Sequence, residues 1–265
     1  MFRDRTFAWL TALTVMLTAP ESMTTASAAP APTRGSTVEA EDVRIETKDG
    51  LKLGAGFYGA RKSKGRAPAV LIAHAPGSDR ATVEPLAKTL SKRGFAVLTL
   101  DLRGHGASAA GESWQELDRA GQERMWAFTQ RDLGAAAGYL RGRRDIHTTN
   151  LTVVGVGSGC ALALRHASED ENARAVVLLD PTEDQFGFNL PDEVRRCGGL
   201  PTLVVSPRDG RSRTKRLVEG LTGSGVPDIE LSILRTGETE YLGDKKTSDK
   251  VVKYLQDTVV EAKGR

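Results

Sequence analysis

A few residues have side chains and neighbours suited to covalent chemistry. Ser158 sits in the glycine-rich turn Gly155-Val156-Gly157-Ser158-Gly159, Cys160 follows it, and Asp209 stands in the turn Arg208-Asp209-Gly210. His74, His105, His147 and His166 are the candidate bases. Acyl transfer needs a hydroxyl or thiol nucleophile, a base within hydrogen-bond reach and a carboxylate that orients that base. No histidine follows His166. The spacing of the histidines also resembles no metal-ligand pattern, so neither a metal nor another cofactor is expected.

Turns of this kind must be held by regular elements, and the apolar pattern supplies them. Val38–Thr47 and Leu51–Tyr58 alternate across the turn signal Asp49-Gly50, which predicts a hairpin. Six short apolar runs suited to buried parallel strands follow: Ala69–Ala73, Ala96–Leu100, Leu151–Val154, Val176–Leu179, Thr202–Val205 and Ile229–Leu234. Helix-period segments lie between or after them at Thr82–Lys92, Arg124–Arg141, Gly159–Ala167, Ser212–Gly220 and Lys250–Glu261. The alternation predicts one α/β domain over residues 38–265. Its sheet has about eight strands, is mostly parallel, opens with an N-terminal hairpin and carries helices on both faces, with no large lid.

The N-terminus has the pattern of an export signal. Arg3 and Arg5 precede the apolar run Phe7–Ala19, which is short for a bilayer span, and Ala26-Ser27-Ala28 offers a cleavage site. The expectation is a signal peptide over 1–28, a Pro/Ala/Ser/Thr-rich linker over 29–37, and a secreted or periplasmic domain with no stable membrane anchor after cleavage. An uncleaved anchor is the alternative. Removing 1–28 takes two basic and two acidic residues from the 37 and 34 of the whole chain, leaving 35 against 32 and the same net charge of +3. So small and scattered an excess gives no footprint for nucleic acid. Aromatic content of 5% argues the same way for single strands. Cys160 and Cys197 either pair as a disulfide or stay as buried thiols.

Three strand-to-loop junctions resemble those of the α/β-hydrolase superfamily. Val70–Ala73 runs into His74-Ala75-Pro76-Gly77-Ser78, similar to the family's oxyanion loop. Leu100 is followed by Asp101-Leu102-Arg103-Gly104-His105-Gly106-Ala107-Ser108, similar to its D-x-R-G-x-G-x-S loop. Leu151–Val154 leads to Gly155–Gly159, in the place of the nucleophile elbow. The resemblance spans residues 38–265 and is nearest to lidless dienelactone hydrolases and serine aminopeptidase-like esterases. A dinucleotide-binding turn fits less well, because Gly155-x-Gly157-x-Gly159 lacks the G-x-G-x-x-G spacing.

The resemblance also implies what is missing. With Gly155 and Gly159 as the small flanks of the elbow, Gly157 occupies the nucleophile position, and glycine has nothing to attack with. The family's base comes late in the chain, yet the loop after the last strand reads Thr236-Gly237-Glu238-Thr239-Glu240. Asp209 falls where the family's acid sits. The backbone N–H groups of Ala75 and Ser158, with His74 beside them, would form an oxyanion or ligand-binding cradle. The expectation is a non-catalytic pseudohydrolase that binds a small acyl or anionic ligand or a partner protein. The alternative is an active serine hydrolase using Ser158 with His105 as a noncognate base.

Overall fold

The computed structural model describes residues 38–260, apart from 62, 64, 110, 224, 226–228, 238 and 239. The segments assigned to a signal peptide (1–28) and a linker (29–37) lie outside the described residues. In chain order the strands are β1 (Glu41–Glu46), β2 (Lys52–Tyr58), β3 (Ala67–Ala73), β4 (Ala96–Leu100), β5 (Ile146–Val156), β6 (Ala173–Leu179), β7 (Asp184–Gln185), β8 (Phe188–Asn189), β9 (Thr202–Ser206) and β10 (Ile229–Ile233). The helices are α1 (Glu84–Lys92), α2 (Arg119–Gly142), α3 (Gly159–Glu169), α4 (Leu190–Cys197), α5 (Arg211–Gly223) and α6 (Lys245–Leu255).

Eight strands form one sheet in the order β1-β2-β4-β3-β5-β6-β9-β10. β1–β2 and β2–β4 are antiparallel, and every later pair is parallel. The central strands are apolar on both faces because successive side chains point to opposite sides. Leu71, Leu98 and Val153 enter a core packed by α2, α3, α4 and α5, while Ile72, Val97 and Val154 enter a second core under α1 and α6. Each fully buried Leu or Val there contributes about 1.5–3 kcal/mol.

Three elements depart from the sequence-based expectation. α2 begins at Arg119 rather than Arg124, because the Asp118 carboxylate caps it by accepting the Gly121 N–H at 2.7 Å. α6 begins at Lys245 rather than Lys250, capped in the same way by Asp244, which accepts the Lys246 N–H at 3.0 Å. Between β6 and β9 the chain adds a two-stranded hairpin, β7–β8, and the short helix α4. The buried carboxylate of Glu193 on α4 is bound by Arg165 of α3, which fastens the insert to the domain.

Candidate active site

The turn from β5 into α3 fixes its own register by crowding. A Cβ on Gly155 would stand 2.5 Å from Cys160 Cα, and one on Gly159 would stand 2.7 Å from His74 O, so neither position can hold a side chain without backbone movement. Gly157, midway between them, has φ +56°, and a Cβ there would meet only Ala75 Cβ, at 3.3 Å. The apex of the turn is therefore Gly157, with room for a Cβ and the left-handed backbone of an elbow, which glycine adopts without strain. Ser158 is already helical, at φ −67° and ψ −17°, and its side chain caps nothing in α3. Its Oγ lies 3.0 Å from Thr182 Oγ1 in the loop after β6.

Two histidines join the loop after β3 to the loop after β4. His74 Nδ1 donates to Ala75 O at 2.7 Å while its Nε2 accepts the Leu102 N–H at 3.0 Å. His105 reciprocates: Nδ1 donates to Arg103 O at 2.9 Å, and Nε2 accepts the Gly77 N–H at 3.0 Å. Each histidine thus sits on one loop and accepts a backbone N–H from the other, and their rings meet edge to face at 5.0 Å. Both must be neutral to do so. Burial pushes His74 down to about 4 and lowers His105 in the same direction. With both ring nitrogens committed to backbone groups, His105 holds the loops together, and the alternative in which it acts as a noncognate base would have to break these bonds. His74, with no exposed surface, likewise braces the loop from beneath and presents no side chain to a ligand.

The rest of the loop after β4 reinforces this clasp. Asp101 accepts the Arg80 N–H at 2.8 Å and the Ala107 N–H at 3.0 Å, and Ser108 Oγ links Asp101 O to the Gly54 N–H. Arg103 is held between Asp132, at 2.6 Å and 2.9 Å, and Asp49, at 3.1 Å. Asp132 has no exposed side-chain surface. Above the clasp lies an aromatic cluster. Trp114 stacks on His105 with ring centroids 4.9 Å apart, and Phe186 packs edge-on against Trp114 at 5.0 Å. Phe186 is the first residue of the two-residue β7–β8 turn, where both it (φ +53°) and Gly187 (φ +80°) are left-handed. The cost of that backbone for a Phe is offset by burying the ring between Trp114, Trp126 and the Arg119 guanidinium, which lies 4.1 Å from its centroid.

On the opposite flank the ends of β6, β9 and β10 converge. Asp180, with φ +50°, is bound by Arg213 at 2.7 Å. Asp209 is exposed, and Arg208 Nε donates to it at 3.3 Å. The loop after β10 lies directly against it: the Arg208 N–H donates to Thr236 O at 2.9 Å, and a Cβ on Gly237 would be 3.0 Å from Asp209 Oδ2. His147 is an exposed-side partner of Thr149 at 3.3 Å, and His166 lies on α3 with Nε2 3.6 Å from Asp170, so neither belongs to this cluster.

A model of the α/β hydrolase family matches residues 69–246, about two thirds of the chain. The chain belongs to the α/β hydrolase family. Solved members share its fold at low identity. The Pyrococcus furiosus esterase Pf2001 superposes with a TM-score of 0.67 at 19% identity, over 87% of this chain and 97% of that one. The dienelactone hydrolase of Anabaena variabilis gives 0.65 at 19%, over 84% and 100%. The dipeptidyl peptidase 4 of Porphyromonas gingivalis gives 0.65 at 18%, over 84% of this chain and 36% of its own. No curated protein matches the sequence significantly.

Within this hydrolase fold the sequence reading missed Trp114, Phe186, Asp180 and Thr182. None carries a motif, and only folding brings them to the site. Gly237 was visible as part of a loop lacking histidine, but its approach to Asp209 was not. Cys160 and Cys197 are separate buried thiols rather than a disulfide: Cys160 Sγ bonds Gly155 O at 3.2 Å and Cys197 Sγ bonds Leu164 O at 3.0 Å. Among the described residues no cluster of His, Cys, Asp or Glu could hold a metal ion, and no helix is long and apolar enough to cross a membrane.

Proposed function

We propose that this protein is an exported pseudohydrolase, which uses the hydrolase pocket to bind a small acyl or anionic ligand rather than to cleave one. One observation carries the reading: the apex of the elbow is Gly157, located by the crowding at Gly155 and Gly159 and not by motif alone. The absence of any histidine after His166 points the same way, since the loop against Asp209 offers Gly237 where the family places its base. Loss of both groups leaves only the residual acceleration of a cradle, about 10³–10⁴ over water. The turn backbone at Ala75 and Ser158, beside the start of α3, supplies N–H dipoles suited to a carbonyl or carboxylate oxygen. The charged start and short apolar run before residue 28 support export.

The rival is a serine hydrolase that uses Ser158, favoured by family membership and by the position of Ser158 one residue past the apex. Fluorophosphonate labelling and p-nitrophenyl ester turnover of the purified protein, beside Ser158→Ala, separate the two. The expected outcome is no labelling and background hydrolysis in both proteins. Labelling and turnover that disappear in Ser158→Ala would establish the enzyme and end the pseudohydrolase reading.

A further inference from the structure

The sheet ends at an open edge beside an unbalanced row of cations, far along the strand order from the elbow. Among the described residues β10 pairs with β9 alone. The Leu234 N–H donates inward to Ser206 O at 2.8 Å. Peptide groups alternate in direction along a strand, so the N–H and C=O of Leu231 and Ile233 point away from the sheet. Helix α6 runs alongside, and its Lys246, Asp249, Lys250 and Lys253 recur at helical spacing as a single stripe beside β10. The stripe and the apolar Ile233 and Leu234 line a groove of about 420 Å³.

The charge in this groove does not cancel. Asp249 is engaged by Lys245 and, at 3.7 Å, by Arg93, and Lys253 is paired with Asp257 at 2.7 Å. Arg235, Lys246 and Lys250, all lining the groove, form no side-chain ion pair among the described residues, and the Asp244 carboxylate at the start of α6 feels only the Lys246 charge among these three. The spacing also suits an extended guest. Four helical residues from Lys246 to Lys250 advance about 6 Å, and alternate side chains of a strand are about 6.6 Å apart.

We propose that the β10 edge and the α6 lysine stripe form a docking site for an acidic, extended segment of a partner protein. The segment adds as a further strand, with backbone bonds to Leu231 and Ile233 and alternate carboxylates toward Lys246 and Lys250. A second copy of this chain is a poorer occupant, since edge-to-edge pairing would bring one lysine stripe toward another. The rival role for these lysines is to keep the edge from pairing at all.

The test is fluorescence anisotropy of a labelled peptide with alternating Glu and Val, against a Lys/Val peptide of equal length, using the full chain. Variants are the charge reversal Lys246→Glu/Lys250→Glu and the edge block Ile233→Pro. Proline is tolerated on an edge strand whose N–H faces solvent, so the second variant keeps its fold, checked by circular dichroism. The expected result is binding of the acidic peptide only, weakened about tenfold or more by either variant and by added salt. Equal binding of both peptides, insensitivity to Ile233→Pro, or no binding at all would overturn the proposal. The last outcome, joined to self-association of a Lys246→Ala/Lys250→Ala variant, would assign the lysines to guarding the edge.

Discussion

The two flanks of the elbow are held in different ways. On the β3–β4 side, His74, His105, Asp101, Arg103 and Asp132 commit their polar atoms to backbone or to one another, and an aromatic cluster seals them. On the β5–β10 side two glycines stand at the turns, Gly157 at the apex and Gly237 against Asp209. Dense hydrogen bonding holds the shape of the first flank. The second has fewer side-chain links, Arg213 to Asp180, Arg208 to Asp209 and Ser158 to Thr182. The two flanks therefore depend on different interactions.

The largest expected effect comes from cutting the first flank. Arg103→Ala leaves the buried Asp132 carboxylate without its cation, and we expect a loss of about 3–5 kcal/mol in urea denaturation. The exposed pair Arg195–Asp192 on α4 serves as the control, and Arg195→Ala should cost at most about 1 kcal/mol.

Acid attacks the same flank through His74. Folded His74 titrates at about 4 because it is buried, whereas in the unfolded chain it titrates at about 6.5. Between these values the unfolded chain takes up a proton that the folded chain refuses. The His74 contribution is therefore complete above pH 6.5 and is lost as pH falls toward 4, roughly 3 kcal/mol in all. Chemical denaturation from pH 7 to 4 measures the slope, which should shrink in His74→Gln. An unchanged slope would deny the clasp its neutral imidazole.

A pair of alanines compares flank with apex inside one turn. Gly155→Ala drives a Cβ against the backbone of α3 and should destabilise by about 1–3 kcal/mol. Gly157→Ala pays mainly for left-handed backbone, about 1 kcal/mol. If thermal melts rank the two in reverse, the apex has been assigned to the wrong residue. The smallest effect is electrostatic: in Gly237→His the new imidazole should titrate above its ordinary 6.5, raised by the adjacent Asp209 carboxylate. Proton NMR of the imidazole would follow it.

Most of the fold is legible because buried parallel strands announce themselves as short apolar runs: six such runs and the opening hairpin give the eight strands of the main sheet. The starts of α2 and α6 were misjudged by about a turn although Asp118 and Asp244 are ordinary capping residues, since apolar periodicity sets in only after the first turn. The helix α4 also carried its signals: Asn189 as cap, Asp192 and Glu193 in the first turn, and left-handed Gly198 at the end. It was overlooked because it spans only Leu190–Cys197, too short for periodicity to stand out. For the site, glycine positions could be read from spacing, while the partners of His105 could not. A histidine in a loop looks the same in sequence whether its nitrogens meet solvent or backbone. Trp114 and Phe186 are separated by 72 positions and meet only through the fold.

If the chain is exported as proposed, the unpaired state of Cys160 and Cys197 sets a race during folding. Both thiols finish buried against carbonyl oxygens, Cys160 within the elbow helix and Cys197 at the end of α4. While the chain is still extended they are ordinary reactive thiols, and an oxidant could join them across the intervening 36 residues. Neither sulfur could then reach its carbonyl until the link was reduced again. In such a compartment, packing of α3 onto β5 would also protect, since it closes Cys160 away from oxidants.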